Sequence, residues 1–240
     1  MVSRPTSVST GSPARRADAQ DAPATVEGMA ETKRKRHGRW RGASALSLVV
    51  VLALAGCSAG PAPLPEPIQK QYDYAMAHWN HYNTKVYGDL NPVGGDCANF
   101  VSQTLIARGW KMNGTWYNHD AAADWSPAWG YVPAMNAYFE QNAKALGLTE
   151  YPLNKRSKIA VGDIVMFDWG DGTLDHVEIV SKVIDTTVDG KKHIDIKMAG
   201  HNKDTKYRDL DYVLDKEYKD ATGHFWHIAL PSTASPTPTK

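Results

Sequence analysis

The chain has 240 residues, 42% hydrophobic, 22% charged and 10% aromatic, an ordinary globular mix that excludes collagen-like, coiled-coil and wholly disordered classes. The net charge of +1 is unevenly spread: residues 1–56 hold nine Lys/Arg against four Asp/Glu, and the remainder holds 18 against 22. An acidic body without a basic stripe excludes nucleic acid as the expected partner, and two cysteines, Cys57 and Cys97, build neither a disulfide framework nor a four-cysteine zinc site.

Residues 1–28 are rich in Ser, Ala, Pro and Thr with no apolar period and are expected to be disordered. A cationic run follows, from Lys33 to Arg41, and then the uncharged stretch Ala43–Gly56. Fourteen residues are too few for a spanning helix, which needs roughly 20, but they suit the apolar region of a secretory signal. The stretch ends Leu54-Ala55-Gly56-Cys57. Small residues before a cysteine resemble the lipobox of bacterial lipoproteins. That resemblance implies cleavage before Cys57, lipid on its sulfur and an extracytoplasmic, membrane-anchored protein. An ordinary signal cleaved nearby is the alternative. Met29 is a second possible start.

Pro61, Pro63, Pro65 and Pro67 mark a semi-rigid spacer over residues 57–67, and Ser232–Lys240 reads as an unstructured tail. Residues 68–231 are read as one domain. Apolar residues from Ile68 to Val86 recur at helical spacing, so a helix is expected over 68–87. A loop at Asn91–Gly95 leads to a second helix over 96–108, with Asp96 as N-cap and Gly109 as stop. Residues 110–130, with Trp110, Trp116, Trp125 and Trp129, read as irregular, either a glycan-stacking surface or a loop packed on its own rings. A third helix is expected over 131–146. Strands follow at 163–169, 176–184 and 193–199, a short helix at 207–218 and a last strand at 225–230. Helices followed by antiparallel strands make an α+β pattern.

Chemistry concentrates at Cys97. If lipidation consumes the Cys57 thiol, Cys97 is the only free thiol in an oxidising compartment. It falls in the first turn of the second helix, where free amides and the helix dipole favour a thiolate and an oxyanion. His176 opens a strand and offers a base. From the residues alone, a nucleophile and a buried small apolar residue are both open readings of Cys97. Asp96-Cys97-Ala98-Asn99-Phe100-Val101-Ser102-Gln103, with Gly162–Trp169, Asp175–Val180 and Gly200-His201 before Leu210, resembles the putative amidase domain family. That family sits among the NlpC-like and CHAP papain-fold cysteine hydrolases. Ala98 and Asn202 depart from its pattern, which usually has Thr at the first and often at the second.

The resemblance implies a papain-like α+β fold, N-terminal helices on an antiparallel sheet, and Cys97 and His176 as catalytic pair. It implies His201 as third member, with Asn202 as alternative. Asp96, Asn99, Gln103 and Trp169 are candidate substrate or oxyanion supports. Asn99 and Gln103 could equally bond neighbouring loops, and Trp169 could be core. No metal and no cofactor are expected: Asp168, Asp171 and Asp175, and Asp185–Gly190, read as turns, and His78 with His81 as a solvated face. His224 and His227 read as structural. The expected activity is hydrolysis of amide bonds in peptidoglycan peptides through a Cys97 thioester, by a monomer. An inactive peptide-binding lipoprotein and a thioester acyltransferase are the alternatives.

Overall fold

The computed structural model describes residues 62–230. The leader, the signal-like stretch, Cys57, the start of the spacer and the tail lie outside them. No helix among the described residues is long and apolar enough to cross a membrane.

Helix α1 spans Glu66–His78, with Pro67 in its first turn, where a missing N–H costs nothing. The expected single helix to residue 87 breaks after Trp79. Asn80 and Asn83 favour turns over helix, and His78 Nδ1 bonds the His81 carbonyl across the break at 2.8 Å. A short α2 (Thr84–Tyr87) follows. Helix α3 spans Cys97–Arg108 and ends at Gly109, φ 112°. It is buried nearly all round, so it is the central helix of the fold.

The tryptophan-rich segment is more ordered than its sequence predicts. It forms a small pair, β1 (Asn118–Asp120) and β2 (Asp124–Trp125), and a helical turn α4 (Pro127–Gly130). Trp116 and Trp129 are fully buried, with ring centroids 4.9 Å apart. Core packing accounts for these two rings. Helix α5 (Val132–Leu146) stops at Gly147 in the left-handed region, φ 66°.

The remaining elements are β3 (Leu148–Pro152), β4 (Ile164–Asp168), β5 (Leu174–Val188), β6 (Lys191–Gly200), β7 (Thr205–Asp209), a turn of helix α6 (Leu210–Tyr212) leading into a π-helical turn at Val213–Glu217, and β8 (Thr222–Ile228). The six longer strands form one antiparallel sheet in the order β3-β8-β4-β5-β6-β7. The molecule is α+β. Two expectations need correction. β3 lies where no strand is expected, added to the edge by pairing with β8. Residues 205–209 are a strand rather than helix, because Arg208 and Asp209 pair with Met198 and Lys197 of β6.

The sheet is covered on both faces. Ile164, Met166, Val177 and Ile179 pack with Phe100, Val101 and Phe139 of the helices. Val165, Phe167, Val180 and Met198 pack with Leu210, Val213 and Phe225. Full burial of Phe100 or Phe139 contributes about 1.5–3 kcal/mol each. His176 and Glu178 alternate with Val177 and Ile179, so they share one face of β5.

Candidate active site

The first turn of α3 is held in place before it offers any chemistry. Gly94 and Gly95 enter it at φ 133° and 130°, a region L side chains rarely adopt. A Cβ on Gly95 would also sit 2.6 Å from the Asn202 amide. The Asp96 N–H donates to Asn202 Oδ1 at 3.0 Å. Asp96 is fully buried and its Oδ1 accepts from the Leu90 N–H and from Asn99 Nδ2, both at 2.8 Å. Its Oδ2 pairs with His201 Nδ1, and His201 Nε2 donates to the His78 carbonyl at 2.8 Å. The His201 ring lies between Tyr82 and Phe100, with centroids at 3.7 and 4.2 Å. Asp96, His201 and Asn202 therefore brace the turn that carries Cys97. No side chain caps α3, so its first amides are open to an anion.

Cys97 and His176 are both buried, 5% and 6% exposed, and the thiol lies close enough to the imidazole to raise it. His176 Nε2 faces Glu178 Oε1 at 3.0 Å, leaving Nδ1 for the thiol. Burial pulls the imidazole down. Hydrogen bonds to Cys97 and Glu178, together with their charges, outweigh it and bring His176 up to about 9. Glu178 is completely buried. Burial raises its carboxyl, but the His176 hydrogen bond and the charges of His176 and Arg208 prevail and hold it below the ordinary value. Arg208 Nη1 donates to the same Oε1 at 2.6 Å, and its Nε and Nη2 donate to Glu217. A chain of partners thus runs Cys97, His176, Glu178, Arg208, Glu217.

The expected third member is displaced by this geometry. His201 and Asn202 make no hydrogen bond to His176. Both His201 nitrogens are engaged elsewhere, and the carboxylate on the His176 ring is Glu178. Nothing in the sequence around Arg208 marks it as part of the site. Gly200 makes room for Glu178: a Cβ there would lie 2.7 Å from Glu178 Cγ.

The other candidates divide. Trp169 stacks over His176 with centroids 5.6 Å apart and over Tyr218 at 4.0 Å. Asn99 and Gln103 are buried with structural partners: Trp129 Nε1 donates to Asn99 Oδ1, and the Tyr74 hydroxyl donates to Gln103 Oε1, both at 2.7 Å. Asp168, Asp171 and Asp175 do converge, with ligand atoms within 4.8 Å of one another, as do His193, Asp195 and Asp211. Asp168 Oδ1, however, accepts the amides of Gly170, Asp171 and Gly172, which is a turn's own hydrogen bonding, and Arg156 already pairs with Asp211. His224 and His227 bond Asn136 and Asp163.

A family model described as "Putative amidase domain" matches residues 67–226. The chain belongs to this amidase domain family. The match spans α1 to β8 and contains Cys97, His176, Glu178 and Arg208. A relative named "Uncharacterized protein YhbB", of Bacillus subtilis (strain 168), is 32% identical over 114 residues, 45% of this chain and 34% of the relative. The chain thus matches about a third of that protein's length. No solved structure matches. The family's description suggests amide hydrolysis, and the relative's name gives no substrate.

Proposed function

We propose that this amidase-family protein is an extracytoplasmic cysteine hydrolase that cleaves amide bonds with a Cys97–His176–Glu178 triad. The observation that carries the reading is the buried approach of His176, hydrogen-bonded to Glu178, to Cys97 at the uncapped start of α3. A papain-like arrangement is the fold reading that accompanies it: a nucleophile at a helix start, a base on an antiparallel sheet.

In this mechanism the Cys97 thiolate attacks the amide carbonyl while His176 is imidazolium. The first amides of α3 take the oxyanion's charge. His176 gives its proton to the departing nitrogen, the C–N bond breaks, and the acyl group stays on sulfur as a thioester. His176, now neutral, takes a proton from water as the oxygen attacks. The acid leaves and the thiolate–imidazolium pair is restored. Glu178 fixes the ring with Nε2 protonated and Nδ1 toward sulfur. Arg208 keeps Glu178 ionised in its dry surroundings.

The basic run and the apolar stretch ending at Cys57 support an anchored, extracytoplasmic location. That location makes peptidoglycan stem peptides, or the sugar–peptide amide, the substrate in reach. Mass spectrometry of peptidoglycan incubated with the protein tests this. A new amine and a new carboxylate at one amide, absent with Cys97→Ala, are expected. Unchanged muropeptides, or equal cleavage by the variant, would contradict it.

A further inference from the structure

A cavity of about 500 Å³ opens between the two loops that deliver the triad. It is lined by Val93 and Gly94 just before Cys97, and by Leu174 and Asp175 just before His176. Trp125 and Tyr131 also line it. The volume lies within the roughly 300–1,000 Å³ usual for small-molecule sites. Its position matters more, because two of its lining segments lead directly into Cys97 and His176.

The walls are more apolar than polar. Val93, Trp125, Tyr131, Val132 and Leu174 present apolar surface, and no lysine or arginine lines the cavity. The charge at its edge is the Asp175 carboxylate, whose Oδ2 accepts the Trp169 N–H at 2.9 Å. A carboxylate entering here would lose water without gaining a cation and would meet a like charge. An uncharged apolar group would bury surface against the walls at about 25 cal/mol per Å².

We propose that this cavity is the subsite for an uncharged apolar side chain on the residue next to the scissile amide, and that it discriminates against acidic residues there. The proposal rests on Cys97 being the nucleophile and adds the substrate class. It places the selected residue by continuity with the Gly94–Cys97 and Asp175–His176 segments.

Alkylation of Cys97 tests it without requiring turnover. N-benzyl, N-methyl and N-carboxymethyl chloroacetamides share one reactive group. Their rates with the intact protein, read by mass spectrometry, are each divided by the rate with glutathione. The benzyl probe should exceed the carboxymethyl probe by at least about tenfold, because 1.4 kcal/mol of differential contact is a factor of ten. Tyr131→Ala and Val93→Asp should lower the benzyl-to-methyl ratio. Both side chains are largely exposed, 55% and 67%, so the fold should tolerate the changes. Asp175→Asn should speed the carboxymethyl probe relative to the methyl one. Normal alkylation with equal normalised rates, or ratios unmoved by these variants, would overturn the subsite alone. A thiol that reacts with no probe would overturn the nucleophile reading and the subsite with it.

Discussion

Glu178 Oε1, fully buried, is shared by two partners, the His176 imidazole and the Arg208 guanidinium. Against burial, the Cys97 thiol and then the Glu178 hydrogen bond and charge hold the His176 imidazole up. Because His176 stands near 9, kcat/KM should fall on the alkaline side around pH 9, where the imidazolium that protonates the leaving amine is lost. Cys97 alkylation should not fall there, since alkylation needs no proton from His176. Glu178→Gln removes the anion, so burial is less opposed and the alkaline limb should move toward the ordinary histidine value of about 6.5. Turnover should drop about a hundredfold or more, scaled down from triad data. An unmoved limb in the pH–rate profile would contradict the assignment. His201→Ala should act differently. It leaves the buried Asp96 Oδ2 without its hydrogen-bond partner, so the expected effect is a stability loss of about 1–3 kcal/mol, read by urea denaturation. Cys97 and His176 were legible because helix-start and strand-start signals flank them. Glu178 was legible in principle, two residues beyond His176 and so on the same strand face. What the sequence could not show is that both His201 nitrogens would be occupied by Asp96 and His78, from distant elements.

The elements carry the site through close approaches. β6 passes β5 at Gly200, where no side chain fits beside Glu178. Gly200→Ala should push Glu178 off the His176 ring, lowering kcat with little change in KM. A fully active Gly200→Ala protein would show that the Glu178 position is not needed. The helix ends at Gly109 and Gly147 were readable, since glycine tolerates the left-handed residue that closes a helix. The strand at 205–209 was not. Its sequence, Thr-Lys-Tyr-Arg-Asp, carries no apolar run, and it is fixed by pairing with β6 and by Arg208 reaching Glu178. The break after Trp79 hid inside a good apolar period for a similar reason. The period extends through Asn80 and Asn83, whereas the turn depends on a bond from His78 to His81.

At the scale of the whole molecule, the layers of the domain and the order of helices before strands followed from the changing hydrophobic period. The order of strands in the sheet did not, because register is set by contacts between segments far apart in the chain. Anchoring is a separate whole-chain property, proposed from Leu54–Cys57, which lie outside the described residues. Cys57→Ala should release the protein from the membrane fraction or leave an unprocessed precursor. Failure of the wild type to incorporate labelled palmitate would end the lipoprotein reading while leaving the hydrolase intact. The central claim is a covalent intermediate on Cys97, and mass spectrometry of the protein quenched in acid during turnover tests it most directly. The account predicts an added mass equal to the acyl part of the substrate, located on the peptide containing Cys97. The adduct should be released by hydroxylamine and absent from Cys97→Ala. Continued amide cleavage by Cys97→Ala, with no adduct on Cys97 in the wild type, would contradict it.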